Sequence, residues 1–168
     1  LLKTAQATET TTVFDLNYRA KLWPPEAAEE TYESILPAID ILIAAERDLR
    51  NILNLTGSAS TMIDGLQSAY DHDVVIVTRG EECAIARGGG KLVEQPSYET
   101  DTLDPIGTGD AFVGGFLARN LQEVSLAEAL DVAAATAALK RTMRGDIAVV
   151  TPEEVERIRA GTDIGIDR

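Results

Sequence analysis

The run Asp104-Pro-Ile-Gly-Thr-Gly-Asp110-Ala-Phe112, continuing into Val113-Gly-Gly-Phe-Leu117, admits few local structures. Its first half is polar and glycine-rich, and its second half opens a helix of small and apolar residues. A loop of this kind delivers its last residues at a helix N-terminus, where the first N–H groups have no intrahelical acceptor. Gly107 and Gly109 carry no side chain to block a ligand and allow backbone angles closed to other residues. The N–H groups of Gly107, Thr108 and Gly109 are therefore expected to point together at an anion, aided by the positive end of the helix dipole. Into that cationic pocket the sequence sets a carboxylate, Asp110. Taken alone, such an Asp reads more readily as a helix N-cap.

Upstream, apolar and β-branched segments alternate with helical ones. Thr11–Leu16, Asp40–Ala44 and Asp73–Thr78 read as buried strands. Between the first two, Pro24-Pro25-Glu26 opens a helix with apolar stripe Ala28, Tyr32 and Ile35, stopped by Pro37. Thr61–Ala69 carries Met62, Leu66 and Ala69 at helical spacing; His72, just past its end, reads as structural. Cys83–Arg87 and Lys91–Glu94 flank Gly88-Gly-Gly90 as a hairpin whose turn type the glycines leave open. Leu1–Glu9 reads as the end of a helix. Beyond the anion loop, Ser125-Leu-Ala-Glu128 and Thr151-Pro-Glu-Glu154 are capping boxes opening two more helices, the last ending near Gly161. The small-residue run Ala133–Ala138 permits close helix–sheet packing. Strands alternating with helices predict an α/β fold with a mostly parallel sheet covered on both faces.

Composition limits the function classes. A hydrophobic share of 45% is ordinary for a globular chain, and 168 residues suffice for one domain with a core. The net charge of −13 argues against a nucleic-acid or anionic-membrane partner. No apolar run approaches the roughly 20 residues of a membrane span, and no signal peptide opens the sequence. The single Cys83, followed by the apolar Ala84 and Ile85, reads as a core residue, so a cytoplasmic location is expected. The acids are spread along the chain and lysines are only Lys3, Lys21, Lys91 and Lys140. Such a surface looks like that of proteins from a high-salt cytoplasm, where screening shortens charge repulsion.

The string Asp104–Asp110 resembles the Asp-Thr-x-Gly-Ala-Gly-Asp signature of the ribokinase-like (PfkB-type) sugar kinases, with Pro105 and Thr108 in place of the usual Thr and Ala. The resemblance implies that Asp110 is the base that takes a proton from a sugar hydroxyl. It implies that Gly107, Thr108 and Gly109 cradle the transferred phosphoryl group. Phe14-Asp-Leu-Asn-Tyr-Arg-Ala-Lys-Leu-Trp23 is similar to the 2-keto-3-deoxygluconate kinase branch. There the Arg pairs with the substrate carboxylate and the Asn lies near the phosphates, roles that fall here on Arg19 and Asn17. An Arg fork suits a carboxylate through two parallel hydrogen bonds. Read as a strand end, Asp15, Asn17 and Arg19 alternate and are expected to face one side.

Further positions follow from the same resemblance. Thr78-Arg-Gly-Glu-Glu-Cys83 resembles the family's nucleotide-binding turn, so Thr78 and Gly80 are expected at ATP, with Cys83 replacing the second Gly. The Asn-x-x-Glu that helps organise magnesium is altered to Ala45-Glu-Arg-Asp48; Asp48, with Glu46 as the alternative, is expected to act on Mg²⁺ through water. Arg144-Gly-Asp146 places an acid, Asp146, near the substrate hydroxyls, and Ala134 stands where an adenine-pocket Asn is frequent. ATP and Mg²⁺ are the implied cofactors.

The resemblance runs from Phe14 to about Ile158. It covers the C-terminal portion of one ribokinase-like three-layer α/β/α domain, without the early strands, the lid or the Gly-Gly-Asn-type substrate motif. Residues 1–168 are therefore expected to be that portion. The expected reaction is ATP-dependent phosphorylation of a sugar acid, 2-keto-3-deoxygluconate to its 6-phosphate. A neutral-sugar kinase of the fructokinase or ribokinase type, and a truncated nucleotide-binding remnant without activity, stay open. A homo-oligomer and a separate N-terminal half are both compatible with the sequence.

Overall fold

The computed structural model describes residues 1–161, which divide into two compact units, Leu1–Glu94 and a second beginning at Gln95. Five strands, all in the first unit but for the last two residues of β5, form one sheet in sequence order: β1 (Val13–Asp15), β2 (Ile41–Ala45), β3 (Val74–Thr78), β4 (Cys83–Gly88) and β5 (Lys91–Pro96). β1, β2 and β3 are parallel, and β3 pairs antiparallel with β4. The parallel pairs are joined through helices, as such pairs require. α1 (Leu2–Ala7) precedes β1, α2 (Pro25–Ile35) joins β1 to β2, and α3 (Glu46–Asn51) with α4 (Ala59–Tyr70) joins β2 to β3.

β2 and β3 are apolar over Ile41–Ala45 and residues 74–77 because both of their faces are largely buried. Leu42 and Ala44 of β2 stand beside Val75 and Val77 of β3, and these four belong to one core with Ala28, Tyr32, Met62, Ile63 and Leu66 from the helices. Ile41, Ile43 and Ile76, alternating with them, are buried as well. β1 is an outer strand of the sheet, and its Val13 is exposed. The hairpin turn is now defined: Gly89 and Gly90 both have positive φ (56° and 73°), the requirement of a type I′ turn. Cys83 is a buried free thiol, and burial raises its pKa.

His72 is structural. It is buried against Tyr70, with Nδ1 2.6 Å from the carbonyl oxygen of Ile39, and it follows the left-handed Asp71 that ends α4.

The second unit holds α5 (Thr108–Asn120), α6 (Leu126–Arg141) and α7 (Pro152–Arg159). α5 and α6 touch at Gly115, where a methyl group would stand 2.7 Å from Thr136 Oγ1 and 3.1 Å from Ala133 Cα. The small run of α6 thus admits a neighbouring helix, where the sequence suggested a sheet. Ser125 caps α6 by accepting from the Glu128 N–H, but the Glu128 side chain turns to Arg119 rather than closing the box. The box at Thr151 is complete, with Thr151 Oγ1 accepting from Glu154 and Glu154 Oε2 accepting from the Thr151 N–H.

Candidate active site

Each unit carries its own set of site residues. In the second, Gly107 is the N-cap of α5 in the left-handed region (φ 79°, ψ 2°), and the first helical bond runs from Ala111 N–H to its carbonyl. Glycine is demanded here twice. A side chain would be strained at that φ, and its Cβ would lie 2.1 Å from the Asp146 carbonyl oxygen. Gly109 differs, since nothing lies within 4 Å of where its Cβ would stand. The open space sits over the helix terminus, where a ligand can come close to the backbone.

Among the described residues, the N–H groups of Gly107, Gly109 and Asp110 have no acceptor. Thr108 departs from expectation. Its N–H lies 3.3 Å from the Pro105 carbonyl and its Oγ1 donates to the same oxygen at 2.7 Å. An i to i+3 turn has used that N–H, so Thr108 closes the loop and Asp110 supplies the third free donor. The N-cap alternative for Asp110 also falls away, because Gly107 occupies the cap. Asp110 is exposed, three positions into the helix. Its carboxylate has no hydrogen bond or ion pair among the described residues.

Asp110 and Asp146 line one cavity of about 750 Å³, whose walls include Ala111, Gly114, Val132 and Val155. The structure therefore brings together Gly107, Gly109, Asp110 and Asp146. What binds Asp146 to the loop is its main chain, whose carbonyl rests against Gly107, and the residue also lines the cavity.

Asp104 was not foreseen as a site residue. Its Oδ1 accepts from Ile106 N–H and its Oδ2 from Gly145 N–H, both at 3.0 Å, tying the loop's entry to the segment that carries Asp146. These two bonds hold its carboxyl pKa below the ordinary value. Its own N–H donates to Arg141 O, and its carbonyl accepts from the Lys140 ammonium. An Asp three residues before a glycine N-cap was the available signal, since such a side chain bonds backbone N–H groups two residues on. Ala134 of α6 is buried, and its adenine-pocket role rests on the resemblance alone.

In the first unit the carboxyl ends of β1, β2 and β3 lie side by side, with Asp15 paired to Ile43 and Ala45 to Thr78. Asn17 and Arg19 follow β1, Glu46 and Asp48 follow β2, and Thr78 to Gly80 ends β3. Ligands of open α/β sheets bind at such strand ends.

One expectation is corrected here. β1 stops at Asp15, and Asn17 has φ 38°, so Asp15, Asn17 and Arg19 do not alternate along a strand. After Leu16 N–H bonds to Ile43 O, the chain leaves the sheet and turns, with Leu22 N–H bonded to Arg19 O. Tyr18 Oη donates to Trp23 O, and Trp23 packs edge-on against Tyr32. Aromatic packing, rather than strand pairing, shapes this segment. Asn17 and Arg19 are both exposed, and no ion pair engages Arg19 among the described residues.

Glu46 and Asp48 both fall in the first turn of α3, a helix the sequence did not announce. Glu46 accepts from Arg50 and from Arg79 Nε (2.7 Å), and these bonds depress its pKa. It is committed to fixing the Thr78–Gly80 turn. Asp48 is buried, with Arg47 Nε 3.4 Å away. No group of three or more metal-binding side chains occurs among the described residues. Gly80 has φ 64° and open space beside its Cα, as a turn approached by a ligand requires.

A family model described as pfkB family carbohydrate kinase matches residues 1–153. The 2-dehydro-3-deoxygalactonokinase of Haloferax volcanii is 56% identical over 168 residues, all of this chain and 53% of that protein. The 2-dehydro-3-deoxygluconokinase of Thermoproteus tenax is 29% identical over 148 residues, 86% of this chain and 45% of that protein. The crystal structure of a 2-dehydro-3-deoxygluconokinase from Thermotoga maritima superposes with a TM-score of 0.88 at 28% identity, covering 95% of this chain and 53% of that one. The chain thus spans about half the length of the relatives it matches.

Proposed function

The chain belongs to the pfkB family of carbohydrate kinases, and on that premise we propose that the whole protein transfers a phosphoryl group from ATP to a hydroxyl of a 2-keto-3-deoxy sugar acid. The observation that carries this reading is the α5 terminus. Three unsatisfied N–H groups, at Gly107, Gly109 and Asp110, adjoin an unpartnered carboxylate that lines a cavity large enough for a sugar.

ATP supplies the phosphoryl group, and the residues of this chain position and polarise. The three N–H groups and the helix dipole stabilise negative charge on equatorial phosphoryl oxygens. Asp110 accepts the proton of the attacking hydroxyl. A carboxylate is a weak base for an alcohol, yet it suffices in a loose transition state, where the proton leaves late and position matters more than basicity. Asp146, on the same cavity wall, is assigned to other hydroxyls of the sugar. Arg19 is assigned to the substrate carboxylate or to phosphate; an exposed guanidinium without an ion partner fits either anion. Asn17, Thr78 and Gly80 are assigned to the nucleotide.

Mg²⁺ characteristically takes one or two protein carboxylates and completes its shell with phosphate oxygens and water. One buried acid, Asp48, fits that need through water; Glu46, held by two arginines, does not.

The deciding assay follows ATP consumption by the full-length protein with 2-keto-3-deoxygluconate, 2-keto-3-deoxygalactonate and fructose. Turnover of either sugar acid in preference to fructose is expected. Preference for fructose would instead establish a neutral-sugar kinase, and no turnover of any of the three would end both the sugar-acid and the fructose reading.

A further inference from the structure

Lys140 is fully buried at the end of α6, yet its hydrogen-bond acceptors are main-chain oxygens. Its Nζ lies 3.2 Å from Asp104 O and 3.3 Å from Met143 O. The nearby Asp104 carboxylate is engaged by the N–H groups of Ile106 and Gly145. A buried ammonium is costly, and a leucine or methionine would fill the same volume without the charge. Packing therefore does not account for the choice.

We propose that Lys140 is a positioning residue for the anion loop: its ammonium is a tethered cation that draws Asp104 O and Met143 O to one point and so fixes Gly107 against Asp146. The two carbonyls belong to the two segments that must stay in register. One runs from Asp104 to the Gly107 cap, the other from Met143 to Asp146. Asp104 binds the second segment again through Gly145 N–H, and Gly107 abuts the Asp146 carbonyl oxygen. Without the cation, two carbonyl dipoles would converge unpaired in a buried site. The segments would separate, and the Gly107, Gly109 and Asp110 N–H groups would lose their common aim. This role rests on the phosphoryl-transfer reading only for its catalytic consequence; the clamp itself is a property of the loop.

The test uses the full-length protein with Lys140→Ala and Lys140→Met. Amide hydrogen exchange of peptides spanning residues 103–110 and 141–147 is followed beside turnover, with and without ammonium or methylammonium. A charge-assisted hydrogen bond lost from a buried site corresponds to roughly tenfold or more, so both variants should lose about that factor in loop protection and in kcat. Lys140→Ala leaves a hole beside the two carbonyls, and ammonium should restore it; tetramethylammonium, which cannot donate, should not. Lys140→Met fills the hole and should stay insensitive to either cation. Wild-type protection and turnover in Lys140→Met would overturn the proposal, as would an Ala variant that ammonium leaves unchanged. Loop protection that responds as described in a protein without kinase turnover would support the clamp and remove the phosphoryl-transfer reading.

Discussion

Gly107 packs so closely on Asp146 that a methyl group at Gly107 would stand 2.1 Å from the Asp146 carbonyl oxygen. Gly109, two residues on, has no such neighbour. The two glycines should therefore answer mutation oppositely. Gly107→Ala adds left-handed strain of about 1–2 kcal/mol and overpacking of about 1–3 kcal/mol, so denaturant unfolding should shift to lower concentration. Gly109→Ala lies inside a helix and should gain about 0.5–1 kcal/mol. It should nonetheless lose turnover, because its methyl group enters the space above the free N–H groups. Equal stability loss in both variants would contradict this account.

Asp110→Asn keeps the shape of the site and removes the base. General-base assistance is typically about 10²–10⁴-fold, and kcat should fall within that range. ATP affinity, measured by titration calorimetry, should change little. Retained turnover would remove Asp110 from the chemistry.

Arg19 has no ion pair among the described residues, so truncating it breaks no internal contact of that kind. Arg19→Ala should raise KM for a 2-keto-3-deoxy sugar acid far more than for fructose. Equal effects on both would move Arg19 from the substrate to the phosphates.

Glu46 binds Arg50 and Arg79, and its pKa is lowered from 4.5 in the folded protein. A depressed folded value means that the contribution is fully present above pH 4.5 and is lost as pH falls through the folded value. Glu46→Gln should therefore be less stable than wild type at neutral pH, with the gap narrowing well below pH 4.5. Chemical denaturation at several pH values measures it; a gap independent of pH would show that packing, not ionisation, matters there.

The charge of −13 implies self-repulsion that salt relieves. Thermal unfolding should move to higher temperature as KCl is raised toward molar concentrations. Full stability in dilute buffer would count against the high-salt reading.

Local signals carried much of the fold. Apolar strands, the hairpin and the helix starts at Pro25, Ser125 and Thr151 follow from short-range propensity and capping, which act within a few residues. α3 is not legible in the sequence, because Ala45-Glu-Arg-Asp48 resembles a site motif and the helix is only six residues long. The anion loop was legible because glycines at a helix start have a local cause. Three things were settled only by the folded structure, the first by a local turn and the other two by contacts more distant in the chain. Thr108 spends its N–H on Pro105, whereas Asp110 keeps its own free. Asn17 leaves the strand direction because Tyr18 and Trp23 are drawn to a core that includes Tyr32. Lys140 and Asp104, 36 residues apart, meet only when α6 returns to the loop. Backbone propensity is written residue by residue, but which polar groups remain unsatisfied depends on every partner that folding brings within reach.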